Sequence, residues 1–62
     1  MMHVAVVEIA TGNRYYTGPC LHTAATHLDP GTCYGVAETP EQALERAKSR
    51  AEMFRDTGYE GP

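Results

Sequence analysis

Residues 39–58 read TPEQALERAKSRAEMFRDTG and carry the signals of one amphipathic helix with both ends marked. Thr39 offers a hydroxyl for the N-cap, Pro40 occupies the first helical position, where its missing N–H costs nothing, and Gln42 follows the cap at the spacing of a capping box. Gly58 is suited to end the helix. The apolar residues form one stripe at helical spacing: Leu44, Ala47, Ala51 and Phe54. The sequence therefore predicts a helix that begins at Pro40, ends near Gly58 and packs one side against the rest of the chain.

The residues that precede this helix have the pattern of strands. Met2–Ala10 reads MHVAVVEIA, and its β-branched residues favour a strand over a helix. Gly12-Asn13 can adopt the positive φ that a tight hairpin turn needs. A second strand is predicted over Tyr15–Thr17 and, after an interruption at Gly18-Pro19, over Cys20–Leu28.

A second turn is predicted where Asp29-Pro30-Gly31-Thr32 combines a proline that presets φ with a glycine that tolerates positive φ. Cys33–Ala37 then forms a short third strand. The expected fold class is α+β: a three-stranded antiparallel meander with one C-terminal helix packed on one face (βββα). Residues 1–62 form a single domain in this interpretation, and residues 59–62 form a frayed tail.

Pairing through the two turns predicts which side chains share a face. The first turn places Val4 opposite Leu21, and the second places Ala25 opposite Val36. The face expected to receive the helix holds Val4, Val6, Leu21, Ala25, Tyr34 and Val36. The other face holds Ala5, Val7, Ile9, Tyr16, Cys20, Leu28 and Cys33. A bulge at Gly18-Pro19 would exchange these assignments for part of the sheet.

The face without the helix is too apolar to meet only water, and the predicted elements include no second helix to cover it. We therefore expect it to bind a protein through Val7, Ile9, Tyr16 and Leu28. An exposed sheet edge is a further place for a partner strand. A homodimer or higher oligomer is the expected assembly.

Size and charge exclude several classes of function. The 62 residues, 42% of them hydrophobic, leave little room for a catalytic fold with a cofactor pocket, so neither an enzyme nor a cofactor is expected. Five Lys and Arg against eight Asp and Glu give a net charge of -3, which disfavours nucleic-acid binding. The apolar run Val4–Val7 is too short to cross a bilayer, and the N-terminus lacks an export signal. The prediction is a cytoplasmic protein with no membrane contact.

Cysteine and histidine residues do not predict a reactive or metal site. Cys20, His22, His27 and Cys33 have a spacing that fits no common zinc module, and no metal is expected. The predicted register separates Cys20 from Cys33, so both thiols should be free. His3 lies opposite His22 in the first hairpin, but no nucleophile or oriented carboxylate accompanies the pair.

The segment PGTCYGVAETPEQALERAKSRAE, residues 30–52, resembles the HicB antitoxin family. That family has a Pro-Gly turn, a short strand and a threonine-capped helix. The matching positions are Pro30, Gly31, Thr39, Glu41, Ala43, Leu44, Glu45 and Lys48. The resemblance implies a three-stranded sheet with one helix that binds and silences a small RNA-cleaving toxin, commonly as an oligomer.

Two other functions are also compatible with the sequence. A small phage-type inhibitor of a host or defence protein would also be short, acidic and single-domain. A nucleic-acid-binding module would use the tyrosine-bearing hairpin, with Tyr15, Tyr16 and Tyr34 to stack on bases. Arg14 is the only basic residue near these tyrosines, and such binding sites carry several.

Overall fold

The computed structural model describes residues 2–19 and 21–58, over which the chain forms three strands and two α-helices. The elements in chain order are β1 (His3–Glu8), β2 (Arg14–Gly18), α1 (Leu21–Ala24), a 3₁₀-helix (Ala25–His27), β3 (Thr32–Ala37) and α2 (Pro40–Thr57). The three strands are antiparallel to their neighbours. The predicted α+β class, with a three-stranded antiparallel sheet and a C-terminal helix, is confirmed.

The strand order is β2-β1-β3, so the predicted meander is wrong. Residues 21–27, expected to continue the second strand, are helical and carry the chain across the sheet to the far side of β1. The alanine pair Ala24-Ala25 suits a helical turn better than a strand. β1, whose residues Val4–Val7 are all buried, takes the central position, where it has a neighbour on both sides.

The observed pairing replaces both predicted registers. Val4 lies opposite Gly18 in β2 and opposite Val36 in β3, not opposite Leu21. The register of β1 and β2 shifts between Val6 and Val7, so the bulge lies near Tyr15 and not at Gly18-Pro19.

The chain reverses where both turns were predicted, but the first is not the tight turn centred on Gly12-Asn13. It is a longer loop between Glu8 and Arg14, closed by the Glu8 N–H, which donates to the Asn13 carbonyl at 2.9 Å. Gly12 has φ 75°, whereas Asn13 does not have the predicted positive φ. In the second, Gly31 has φ 90°, and the Thr32 N–H donates to the Asp29 carbonyl at 3.1 Å. The second turn joins the 3₁₀-helix to β3, because the residues before it do not form a strand.

The ends of α2 lie where the sequence predicts them. The Thr39 hydroxyl accepts a hydrogen bond from the Gln42 N–H at 3.2 Å, and Pro40 opens the helix. Gly58 has φ 77° and ends it. These two ends are set by local chemistry alone.

α2 covers the face of the sheet that the predicted register assigned to a partner. The buried residues of this first core are Ala5, Val7, Ile9, Cys33, Ala37, Ala43, Ala47 and Ala51. Leu44 and Phe54 pack against them half-buried. The predicted assignment of the helix to the face of Val4 and Val6 is therefore wrong.

A second, smaller core lies on the opposite face. Its buried residues are Val4, Val6 and Ala24, and α1 packs there against β1 and β2. The predicted tail at residues 59–62 lies outside the described residues, as does Cys20.

Candidate protein-binding surfaces

The face of the sheet opposite α2 is incompletely covered. Four large side chains pack against its small core and remain half-buried: Tyr16, Leu28, Tyr34 and Val36. We call these four residues the open-face patch. Among the described side chains of α1 and the 3₁₀-helix, Ala24 alone is buried, whereas α2 buries Ala43, Ala47 and Ala51. An apolar surface with this much residual exposure is typical of a contact region.

The structure separates the four predicted partner-binding residues into two pairs. Val7 is 0% exposed and Ile9 is 5% exposed, and both lie beneath α2. The described chain therefore offers neither side chain to a partner. Tyr16 and Leu28 lie in the open-face patch, on the other side of the sheet.

Tyr34 and Val36 complete this patch, although the predicted register placed them beneath the helix. Both lie in β3, opposite Val6 and Val4, and so point to the face that α2 leaves uncovered. The alternation of side chains along β1 and β3 groups them correctly with Val4 and Val6. What it does not indicate is which group the helix covers.

Two arginines of α2 donate hydrogen bonds to carbonyl groups on the outer edge of β3. The Ile9 N–H donates to the Gly31 carbonyl, so these two residues form a hydrogen-bonded pair. Hydrogen-bonded and non-hydrogen-bonded pairs alternate along an antiparallel ladder. The peptide groups of Tyr34 and Val36 therefore face away from β1. Arg50 donates to the Tyr34 carbonyl at 3.0 Å, and Arg46 donates to the Val36 carbonyl at 2.9 Å. These carbonyls are thus occupied by side chains of the same chain.

Arg50 also reaches the open-face patch. Its guanidinium carbon lies 5.2 Å from the centroid of the Tyr34 ring, within cation–π range. The side chain therefore passes around the β3 edge from the helix side to the patch side. The contacts of Arg46 and Arg50 with the β3 edge were not predicted. The two arginines are four residues apart beside the apolar stripe, which places both on the same side of the helix and could have indicated a shared contact.

The hairpin tyrosines are engaged within the chain. The ring of Tyr16 stacks on His27, with centroids 4.4 Å apart, and Tyr15 meets the same imidazole edge-on at 6.3 Å. The Tyr15 hydroxyl donates to Asp29 at 3.2 Å. This hydrogen bond, followed by the negative charge of Asp29, raises the pKa of the Tyr15 phenol. Both rings therefore hold the 3₁₀-helix against β2, which reduces their availability to stack on bases.

A cleft of about 680 Å³ lies where the first hairpin, the Asp29–Gly31 turn and the C-terminal end of α2 meet. Ile9 and Phe54 contribute apolar surface, and Glu8, Asp29 and Arg55 contribute charge. Arg55 donates a hydrogen bond to the Ile9 carbonyl, which ties the end of α2 to the end of β1. With one cation among two carboxylates, the cleft has no strong charge preference.

The cysteine and histidine predictions have separate outcomes. Cys33 is a free thiol, as predicted. It is buried and donates to the Ala47 carbonyl at 3.4 Å. Burial raises the pKa of this thiol, and the positive charges of Arg50 and Arg55 oppose the shift. His3 lies opposite Ala37, so the predicted pair with His22 does not form. Within residues 2–19 and 21–58, no group of three or more metal-ligating side chains comes together.

Comparison with known proteins gives no relative: the chain matches no family model, no curated protein and no solved structure. In the described part of the chain, neither α-helix has the length and apolar character needed to cross a bilayer. The surfaces above are therefore the basis for a function.

Proposed function

We propose that this chain is a small protein-interaction module, similar to HicB antitoxins, that binds and neutralises a protein partner through the open-face patch. The observation that carries this proposal is the unequal cover of the sheet. α2 covers one face of the sheet. On the other face four large side chains remain half-buried: Tyr16, Leu28, Tyr34 and Val36. Tyrosines in such a surface offer large contact area at low conformational cost.

The resemblance supports a small RNA-cleaving toxin as the partner, and the net charge of -3 agrees with it. α2 itself is balanced, since it exposes as many cations as carboxylates: Arg46, Lys48, Arg50 and Arg55 against Glu41, Glu45, Glu52 and Asp56. A protein that binds RNA is basic, and complementary charge speeds its encounter with an acidic protein. The role is binding without catalysis, and a homodimer remains the proposed assembly.

The test is co-purification from source cells followed by reconstitution with the isolated partner. We expect a small basic ribonuclease whose RNA cleavage stops once the chain is added in equimolar amount. Leu28→Asp should weaken the complex at least about tenfold, because it places a charge in a desolvated contact. Asn13→Asp adds the same charge at the exposed hairpin loop and should leave the affinity unchanged.

Three outcomes would contradict the proposal. A captured host or defence enzyme that is inhibited would instead make the chain a phage-type inhibitor. Salt-dependent retention of RNA or single-stranded DNA would support the nucleic-acid-binding alternative. Equal weakening by both substitutions, with circular dichroism showing both variants folded, would exclude the open-face patch as the contact.

A further inference from the structure

The side of α2 that borders β3 forms a groove that shares Val36 with the open-face patch and otherwise differs from it in its lining residues. Its volume is about 420 Å³, and its lining residues are Gly35, Val36, Arg46, Ser49, Arg50 and Met53. Met53 is 59% exposed, so its long apolar side chain is available for contact. Arginine and methionine are both enriched in protein–protein contacts.

The groove carries positive charge although the chain is acidic. Two of the chain's five cations line it, and none of its described lining residues is a carboxylate. A neighbouring hollow toward the N-terminus of the helix does contain a carboxylate, Glu45, beside Arg46 and Ser49. Among residues 2–19 and 21–58, neither Arg46 nor Arg50 has a carboxylate within ion-pair distance. The Arg50 end is therefore the most positive part of the groove.

The two guanidinium groups are already held in place. Each uses an Nη1 donor on a β3 carbonyl, and each side chain remains exposed. A guanidinium has five N–H donors, so several remain for an incoming acceptor. Fixing the side chains in advance lowers the conformational cost of binding a carboxylate.

We propose that this groove binds an acidic, extended segment of a protein partner, with carboxylates on Arg46 and Arg50 and an apolar side chain on Met53. Residues four apart on a helix present side chains about 5–6 Å apart. Alternate residues of an extended chain lie about 6.7 Å apart on the same side. Side chains on one side of an extended segment come from every second residue, so a segment with acidic residues at two alternate positions and an apolar residue at the next alternate position matches Arg46, Arg50 and Met53 in spacing and in charge.

The binding test uses the complete chain and a fluorescein-labelled peptide with the sequence Ser-Glu-Ser-Glu-Ser-Leu-Ser, in which the two glutamates and the leucine share one side when the peptide is extended. We expect saturable binding that weakens as salt increases. Arg46→Gln with Arg50→Gln removes both charges and should weaken binding at least about tenfold, since each charge-assisted contact is lost. Arg14→Gln with Lys48→Gln removes the same charge outside the groove and should change the affinity less than about twofold.

A second variant keeps the test valid if loss of both arginines disturbs the β3 edge. Met53→Glu leaves the hydrogen bonds to β3 intact and should also weaken the peptide by like-charge repulsion. Absence of saturable binding, equal loss in both double variants, or tighter binding of a twelve-nucleotide RNA would overturn the proposal. The proposal would also be overturned if an Arg46→Gln, Arg50→Gln variant bound the peptide as tightly as the parent and self-associated in light scattering. The arginines would then serve only to protect the edge of β3 from pairing with another strand. Leu28→Asp should leave peptide binding intact, which separates this result from the test of the open-face patch.

Discussion

Gly35 in β3 lies directly beneath Ala47 in α2. A Cβ atom on Gly35 would fall 2.5 Å from the Ala47 nitrogen and 2.6 Å from the Ala43 carbonyl oxygen. No real Cβ tolerates such contacts with backbone, so the absence of a side chain at residue 35 sets how closely the helix approaches the sheet. The alanines of α2 and the glycine of β3 together make this approach possible.

Gly35→Ala should therefore destabilise the protein by about 2–3 kcal/mol, because α2 must move away from β3. Urea unfolding followed by circular dichroism measures the loss. Gly31→Ala is the comparison: no atom lies within 4 Å of its added Cβ, and only the φ of 90° opposes the substitution. That backbone cost is about 1–2 kcal/mol. A Gly35→Ala variant as stable as the parent would show that α2 does not pack as closely as described.

Loss of the α2 N-cap should weaken the whole domain, since this helix covers the larger core. Thr39→Ala removes the hydroxyl that accepts from the Gln42 N–H, and we expect a loss of about 1 kcal/mol in the free energy of unfolding. Thr39→Ser retains the acceptor and should cost only a few tenths of a kcal/mol in the same urea experiment. Equal effects from both substitutions would rule out the hydroxyl as the cause.

The stack of His27 on Tyr16 should contribute to holding the short helical cover on the sheet. His27→Ala removes the stacked ring, and a loss of about 0.5–1.5 kcal/mol is expected in thermal or urea unfolding. His27→Phe keeps an aromatic ring at this position and should recover most of that stability. Failure of phenylalanine to do better than alanine would argue that stacking is not what binds residues 25–28.

Burial of Cys33 should make its thiol slow to react and should make stability depend on alkaline pH. Because burial raises the pKa, the folded thiol keeps its proton while the unfolded thiol ionises above a pKa of about 8.5. The free energy of unfolding therefore falls as pH rises beyond that value. In a Cys20→Ser background, thiol labelling at pH 8 should be slow until urea unfolds the chain. Cys33→Ala should lose the part of this dependence that begins at about pH 8.5, and the Tyr15 phenol, whose pKa is also raised, acts only at higher pH. Rapid labelling of the folded protein would contradict the buried position.

Local signals were sufficient to predict α2, the Asp29–Thr32 turn and the position of the first chain reversal, though not the length of that first loop. Thr39, Pro40 and Gly58 act on the backbone of their immediate neighbours, and the apolar stripe repeats at helical spacing within a single segment. Gly12 and Gly31 have the positive φ expected of them. None of these features depends on distant residues, which is why the sequence alone identifies them.

Residues 21–28 and the order of the strands were not predictable in this way. The Asp29–Thr32 turn forms equally well after a strand or after a 3₁₀-helix, since its hydrogen bond closes within four residues. Whether β3 pairs with β2 or with β1 depends on contacts between residues far apart in the chain. The placement of the predicted partner-binding residues also depended on these distant contacts. Tyr16 and Leu28 lie on the face that α2 leaves uncovered, whereas Val7 and Ile9 lie beneath α2.

The pairing predicted through the two turns grouped Val4 and Val6 with Tyr34, and Ala5 and Val7 with Cys33. These groups are correct although the predicted registers are wrong. Only the tertiary structure decided which group α2 covers. A helix lined by alanines can bury its side chains only where the facing sheet is equally small, and Gly35 with Ala5 and Ala37 provides that surface. The opposite face carries the bulky rings of Tyr16 and Tyr34, which would hold a helix farther from the sheet. That face is covered by the short α1 and the 3₁₀-helix, and its large apolar side chains remain half-buried.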